Sequence, residues 1–215
     1  MDPLLDRVLL INKPLHWTSF DVVNKLRHVL KAKKVGHAGT LDPLASGLLI
    51  ICTGKMTKQI DEFQAQEKEY TGKFVLGQTT SSHDLETTPT QPTDIHALND
   101  EQIQRATLAF VGIVNQTPPL HSAIKIGGKR AYELAREGKS AELKPREVSI
   151  REFEITTIEK PVVSFRVVCS KGTYIRSLAR DFGNALGVGA YLAELCRVRI
   201  GAFRIEDAMR IEDVQ

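Results

Sequence analysis

The chain has 215 residues, of which 42% are apolar and 26% are charged, and 29 Lys and Arg against 26 Asp and Glu leave a formal net charge of +3. This composition is ordinary for a globular protein and excludes a disordered tail protein or a collagen-like repeat. No apolar run approaches the ~18 residues that a membrane-spanning helix needs, so we expect no membrane partner.

The first third of the chain predicts alternating strands and helices, judged by the period of its apolar residues. The predicted elements are strands over 8–11, 47–52 and 70–76 and helices over 22–30 and 56–63. Thr18 or Ser19 is expected to cap the first helix. The glycine-rich segment 36–43 predicts a loop between these elements.

The rest of the chain predicts a long loop over 79–93, followed by further helices and strands. The predicted elements are helices over 103–110, 132–136 and 174–186 and strands over 148–158 and 162–169. Asp100 is expected to cap the helix over 103–110, and the segment 191–200 fits either a helix or a strand. Because strands lie both side by side and between helices, we predict an α+β fold with a mixed, largely antiparallel sheet flanked by helices.

The three cysteines, Cys52, Cys169 and Cys196, are predicted to be small residues of the core. They are far apart and odd in number, and none forms a Cys-x-x-Cys pair, so neither a disulfide framework nor a zinc site is expected. The amino terminus lacks a basic segment followed by a cleavage site. A reducing cytoplasm is therefore the expected location.

Positive charge is concentrated in two segments, 25–37 and 125–146, whereas acids gather over 84–101 and after Glu206. Such an uneven distribution predicts a face that binds an anionic partner. The alternative is that these lysines and arginines only solvate the faces of helices.

The segment 36–47, GHAGTLDPLASG, is the strongest candidate for chemistry. Pro43 restricts Asp42 to extended or turn geometry, and Leu41 and Leu44 lower the dielectric around its carboxylate. A carboxylate in such surroundings is costly unless a cation pairs with it. The alternative is that Asp42 caps a following helix.

Two further segments hold candidate site residues. Tyr174 and Arg176 lie near the start of a predicted helix, where backbone N–H groups can bind an anion. Arg176 could instead pair at the surface with Asp181 or Asp61. Tyr70 begins a predicted strand, where a tyrosine commonly serves packing alone.

Several segments together resemble the TruB family of bacterial tRNA pseudouridine synthases. In the order of the family, they are K-P-x-G-x-T-S-x-D at 13–21, G-H-x-G-x-L-D-P-x-A-x-G at 36–47, K-x-Y at 68–70, Q-x-P-x-x-S-A-x-K at 116–125, S-K-G-T-Y-I-R at 170–176 and L-x-R at 195–197. The chain departs from the pattern at His16, which replaces a glycine, at His121, where tyrosine is frequent, and at Ser81, which replaces an acid.

The resemblance implies the pseudouridine synthase fold in a single catalytic domain over 1–215, with RNA-contacting insertions at 79–93 and 116–146. Many relatives continue into a C-terminal RNA-binding domain of the PUA type, and we expect none in this chain. The implied activity converts uridine 55 in the T-loop of tRNA to pseudouridine, without cofactor or metal. The implied partner is the T-arm of tRNA, bound by a monomer that needs no protein partner.

The resemblance also implies roles for individual residues. Asp42 would be the catalytic carboxylate, acting on C1′ of the ribose or on its 2′ proton. Arg176 would pair with Asp42, and Tyr70 would stack on the target base. The residues implied to bind substrate are Lys13, His37, Gly39, Asp84, Tyr174 and Leu195.

Other functions remain as alternatives. An RNA-binding module without catalysis would not need Asp42, Tyr70 and Arg176 together. A guide-RNA-directed synthase subunit shares the motifs but relies on a C-terminal RNA-binding domain. An Asp-based hydrolase would need Asp84 or Asp181 as its second carboxylate. A phosphate-binding P-loop is excluded, because its G-x-x-x-x-G-K-[ST] pattern does not occur.

Overall fold

A computed structural model of the protein describes residues 6–120, 122 and 143–214, together with the backbone of 125–126 and 129–130. These residues form an α+β fold with a mixed, largely antiparallel sheet, so the predicted class is confirmed. The chain divides into two compact units. The first comprises 1–71 and 194–215, and the second comprises 72–193. The predicted single domain over 1–215 stays a prediction.

The first unit is built around one central strand, β3. The strands that contribute to it are β1 (Val8–Lys13), β2 (Val35–His37), β3 (Ala45–Thr53), the end of β10 (Ala190–Ile200) and β11 (Phe203–Arg204). Strand β3 pairs antiparallel with β1 and β2 and parallel with β10. Both faces of β3 are buried, which explains its continuous apolar sequence.

Helix α1 (Ser19–Val29) covers one face of this strand group. Thr18 caps it, as predicted, because its hydroxyl accepts from Asp21 N while the Asp21 carboxylate accepts from Thr18 N. Val22 and Leu26 face the sheet and join the core beneath the helix. The cap and this apolar stripe together hold the N-terminus of α1 in place.

The helix predicted over 56–63 is two elements, a 3₁₀ turn over Gly54–Gln59 and helix α2 (Ile60–Ala65). Strand β4 (Lys68–Leu76) follows and runs from the first unit into the second.

The second unit contains a sheet with α3 (Asp100–Ala106) and α4 (Ile175–Ala185). The strands of this sheet follow the order β4, β9 (Val162–Cys169), β8 (Arg146–Glu159) and β5 (Gly112–Gln116). The chain also forms a short antiparallel pair from β6 (Lys125–Ile126) and β7 (Lys129–Arg130).

A cluster of phenylalanines fixes α4 on this sheet. Phe74 of β4 and Phe165 of β9 stack with their ring centroids 4.1 Å apart. Phe182 of α4 meets Phe153 of β8 edge to face at 5.4 Å. Aromatic pairs in these geometries add to the free energy gained by burial. The cluster therefore sets the position of α4, whose first turn carries Arg176.

Several local predictions need correction. Asn99, rather than Asp100, caps α3, because its side chain accepts from Gln102 N. The loop predicted over 36–43 is shorter, since Gly36 and His37 pair with β3. Strand β5 was not predicted, and the ambiguous segment 191–200 is the strand β10. The helix predicted over 132–136 lies outside the described residues.

The cysteines are free thiols. Cys52 and Cys169 are buried, as predicted, whereas Cys196 is partly exposed. Burial raises the pKa of the Cys52 thiol to about 11 and keeps it protonated. Within the described residues, no helix is long and apolar enough to cross a membrane, and no cluster of His, Cys, Asp and Glu could hold a metal ion.

Candidate active site

Asp42 lies in the connection between β2 and β3, and the residues on both sides of it are anchored. Leu41 N donates to the Ser19 hydroxyl at 2.9 Å, and this hydroxyl donates to Leu41 O at 3.2 Å. Pro43 O accepts from His16 N at 2.7 Å. Because Asp42 precedes a strand and not a helix, the alternative that it caps a following helix is wrong. Asp42 itself is half-buried.

Lys13, at the end of β1, is a fully buried cation close to this connection. Its Nζ donates to Pro14 O at 2.9 Å and to Trp17 O at 2.6 Å. Burial lowers the pKa of Lys13 to about 8, and the negative charge of Asp42 opposes this shift. Lys13 therefore stabilises the turn that leads to α1, and its charge is coupled to that of Asp42.

His37 and Gly39 lie on the approach to Asp42. Burial, and then the charge of Arg197, lower the pKa of His37. The buried Nδ1 of His37 has no hydrogen-bond partner among the residues that the structure describes. Gly39 has a φ of +94°, a conformation that favours glycine.

Arg197 of β10 is a second fully buried cation, to which sequence reasoning gave no role. Its Nε donates to Leu48 O at 2.8 Å, and its Nη2 donates to Gly39 O at 3.1 Å. Leu195, two residues earlier, is half-buried and pairs with Ala45 in the parallel β3–β10 ladder. Two signals in the sequence could have pointed to Arg197: it is the last residue of the motif L-x-R at 195–197, and it is an arginine among apolar residues.

Tyr70 is buried within β4. Lys68, two residues earlier, is also buried, and its ammonium donates to Gln64 O in the last turn of α2 and to Gln66 O just after the helix. Lys68 thereby fixes the turn from which the strand with Tyr70 begins. The burial of Tyr70 is compatible both with packing alone and with contact to a base.

Arg176 lies in the first turn of α4 and is buried together with Asp84. Arg176 Nε is 3.6 Å from Asp84 Oδ2, and Nη1 donates to Ser82 O at 3.5 Å. Asp181, considered as a partner from the sequence, pairs with Arg180 at 2.8 Å instead. Asp84, expected to bind substrate, thus holds Arg176, and its contact with substrate stays a prediction.

Gln116 positions the start of α4, a function that sequence reasoning missed. Its Oε1 accepts from Tyr174 N at 2.8 Å, and its Nε2 donates to Tyr174 O at 3.1 Å. The next residue, Thr117, accepts through its carbonyl from the Ser177 hydroxyl at 2.8 Å. In the sequence, the signal for this position is that Gln116 begins the motif Q-x-P-x-x-S-A-x-K.

The loop over 79–93 holds Asp84 through its own hydrogen bonds. The Ser82 and Thr87 hydroxyls lie 2.8 Å apart, and Glu86 N donates to Asp84 Oδ1 at 2.9 Å. Burial, helped by Arg180 and Arg176, lowers the pKa of the adjacent His83 to about 4. His83 is therefore neutral at physiological pH, and it adds no positive charge beside Arg176.

The predicted site residues are distributed over both units. Lys13, His37, Gly39, Asp42, Tyr70 and Leu195 belong to the first unit, and Asp84, Tyr174 and Arg176 belong to the second. The implied pair of Asp42 and Arg176 would join residues of different units, and it stays a prediction.

A family description, "TruB family pseudouridylate synthase (N terminal domain)", matches residues 27–175, which is more than half of the chain. The chain belongs to the TruB family. The family's C-terminal domain, described as "tRNA pseudouridylate synthase B C-terminal domain", matches residues 176–215. The predicted family and the isomerase class are confirmed.

Relatives of this TruB chain cover nearly its whole length. A tRNA pseudouridine synthase B of Flavobacterium johnsoniae is 53% identical over an alignment 212 positions long, which covers 95% of this chain and 93% of the relative. A tRNA pseudouridine synthase B of Parabacteroides distasonis is 50% identical over an alignment 220 positions long, gaps included, which covers 100% of this chain and 94% of the relative.

Solved structures share the fold of this TruB chain. A chain of a Cbf5-Nop10-Gar1 complex is 31% identical with a TM-score of 0.77, over 98% of this chain and 54% of that one. A chain of an H/ACA RNP bound to a substrate RNA containing 2′-deoxyuridine is 28% identical with a TM-score of 0.72, over 99% of this chain and 58% of that one. The similarity confirms the predicted pseudouridine synthase fold. This chain spans little more than half of the length of these solved chains.

Proposed function

We propose that this protein converts uridine 55 in the T-loop of tRNA to pseudouridine, with Asp42 as the catalytic carboxylate. Membership of the TruB family supports the reaction, and relatives at 50% identity or more carry the name tRNA pseudouridine synthase B. The observation that carries the role of Asp42 is its anchoring between Leu41 and Pro43, in a half-buried position that substrate can reach.

The reaction breaks the N1–C1′ bond of the uridine, turns the base and joins C5 to C1′, while the proton on C5 is released and N1 gains one. The base must first leave its stack, which costs a few kcal/mol. Asp42 acts as an ionised carboxylate, either by attacking C1′ or by removing the 2′ proton. Lys13 favours this ionised form, because a positive charge close to a carboxylate stabilises its negative charge.

Arg176 and Tyr70 complete the proposed machinery. Arg176 pairs with Asp42 during the reaction, and Asp84 holds the guanidinium ready for this contact. Tyr70 stacks on the flipped base, an interaction of about 1–3 kcal/mol that offsets much of the cost of flipping. His37, Gly39, Tyr174 and Leu195 line the position of the nucleotide.

The T-arm binds to exposed basic side chains. On and after α1 they are Lys25, Arg27, Lys31, Lys33 and Lys34. Cations of this kind contact phosphates and position the nucleic acid without reading its sequence. In the second predicted basic segment, Lys144 and Arg146 are exposed, and its other cations lie outside the residues whose side chains are described.

The enzyme acts as a cytoplasmic monomer without a protein partner.

The test uses an unmodified tRNA transcript labelled with tritium at C5 of its uridines. Wild-type protein should release tritium, and carbodiimide treatment with primer extension should stop at position 55. Asp42→Asn should bind the tRNA and release no tritium. Asp61→Asn, which changes an exposed carboxylate of the same unit, is the matched control and should behave as wild type. Turnover by Asp42→Asn, or a stop elsewhere in the tRNA, would refute the proposal.

A further inference from the structure

The Arg197 guanidinium is buried at an unusual cost. The residue is 1% exposed, and among the described residues no carboxylate lies within 4.0 Å of it. Its two side-chain hydrogen bonds go to backbone carbonyls, those of Gly39 and Leu48. Removing a cation from water costs several kcal/mol, so a buried arginine without an acid needs another reason for its presence.

The two carbonyls lie on opposite sides of Asp42 in the sequence. Gly39 precedes Asp42 where the chain leaves β2, and Leu48 follows it where β3 enters the core. One planar guanidinium therefore joins the beginning and the end of the segment 39–48. A guanidinium carries several donors in a rigid fork, and it can hold two acceptors at a set separation, whereas the single ammonium of a lysine imposes no such geometry.

The backbone of Arg197 is itself held against this segment. Arg197 pairs with Gly47 in the parallel ladder, and a Cβ on Gly47 would lie 2.4 Å from Arg197 O. This close approach fixes the backbone of Arg197 beside β3, and the two hydrogen bonds to Leu48 O and Gly39 O hold its guanidinium. The β3–β10 ladder thus fixes the backbone of Arg197. The two hydrogen bonds of its guanidinium then hold the backbone of the Asp42 segment in place.

We propose that Arg197 is a positioning residue, which holds the segment 39–48 closed so that the Asp42 carboxylate keeps one direction. It acts through the backbone and does not itself touch the reacting atoms. The expected effect on turnover rests on the proposed function, whereas the expected effect on the order of the segment does not.

The test compares Arg197→Lys with Arg199→Lys. Arg199 lies two residues further along β10 and likewise makes several side-chain bonds, to Glu67, Glu69 and Gly201, none of them in the Asp42 segment. Both variants keep the positive charge and lose the rigid fork. The measurements are the thermal midpoint, hydrogen exchange of peptides covering 39–48, the Kd for tRNA, and the single-turnover rate at a temperature where all proteins are folded.

Arg197→Lys should exchange faster over 39–48 and lose about 10- to 100-fold in single-turnover rate, with Kd unchanged, because a small displacement of a reacting group is sufficient for such a loss. Arg199→Lys should keep the exchange pattern of 39–48 and the rate, even if its thermal midpoint falls. Equal rates and equal exchange in the two variants would overturn the proposal. Faster exchange of 39–48 in Arg197→Lys, with no pseudouridine formed even by wild type, would support the positioning role and refute the proposed function.

Discussion

Asp84 and Arg176 form an ion pair of 3.6 Å in which both side chains are more than nine-tenths buried. Arg176 occupies the first turn of α4, where the helix dipole disfavours a positive charge. The Asp84 carboxylate compensates for this position. Asp84 is in turn fixed by Glu86 N and by a β-bridge with Leu192. The direction of the guanidinium therefore depends on a carboxylate from a distant loop.

We expect Asp84→Asn to lower the free energy of unfolding by about 3–5 kcal/mol, because the Asp84 carboxylate is one of the groups that stabilise the buried Arg176 guanidinium, and breaking a buried ion pair has a cost in this range. The matched control is Asp181→Asn, which breaks a more exposed pair with Arg180 and should cost about 1 kcal/mol or less. Urea denaturation of both variants measures the difference. Similar losses in the two variants would show that Asp84 does not carry the charge of Arg176.

The buried Lys13 predicts a rise of stability with pH. Its pKa is about 8 in the folded protein and near 10.5 in the unfolded chain, so between these values the unfolded chain binds more protons. The free energy of unfolding of wild type, relative to Lys13→Met, should therefore increase by at most about 1.4 kcal/mol per pH unit across this window. Below pH 8 the difference should be nearly constant.

A second variant ties this pH dependence to Asp42. The charge of Asp42 raises the pKa of Lys13, so Asp42→Asn should move the start of the rise to lower pH. Denaturation curves at a series of pH values measure both effects. A difference between wild type and Lys13→Met that is flat across the window would mean that Lys13 is not desolvated.

Local sequence patterns were sufficient to predict many of the helices and strands. Strands β1, β3, β4, β8 and β9 and helices α1 and α4 were predicted, because burial gives each of them a periodic or a continuous apolar pattern, and caps or turn residues mark the ends of several. Strand β5 gave no such signal: it is mostly exposed, with Ile113 at 72%, and only its pairing with β8 makes it a strand. Its formation is decided by a partner far along the chain.

In the candidate site, too, some features could be predicted from the local sequence, and others depend on contacts between distant residues. Motif resemblance selected Asp42 and Arg176 residue by residue, whereas the contacts that hold them join distant parts of the chain. Arg197 and Gly39 are 158 residues apart, and Gln116 and Tyr174 are 58 apart. No spacing rule relates such residues, because their contacts exist only once the sheet has formed.

We expect truncation of the Gln116 side chain to lower the free energy of unfolding. Gln116→Ala would leave the N–H and the carbonyl of Tyr174 without this buried partner, at a cost of about 1–3 kcal/mol. Gln104→Ala removes an exposed amide from α3 and is the matched control, with little expected change. Urea denaturation of both variants measures the effect. A loss in Gln116→Ala no larger than that in Gln104→Ala would contradict the bridging role.

At Gly47 a single added methyl group is expected to lower the stability of the protein. The φ of Gly47 is +104°, and an added Cβ would lie 2.4 Å from Arg197 O and 2.7 Å from Arg197 N, both backbone atoms that move only if β10 moves. Gly187→Ala is the matched control, because φ there is +73° with open space around the added atom. Both variants carry the cost of a left-handed alanine, about 1–2 kcal/mol.

Gly47→Ala should lose about 1–3 kcal/mol more than Gly187→Ala, the range typical of overpacking. The measurement is the free energy of unfolding in urea for both variants. Because the displaced strand carries Arg197, hydrogen exchange over 39–48 should also become faster in Gly47→Ala and stay unchanged in Gly187→Ala. Equal losses of stability, with unchanged exchange, would mean that β3 and β10 can separate without disturbing the Asp42 segment.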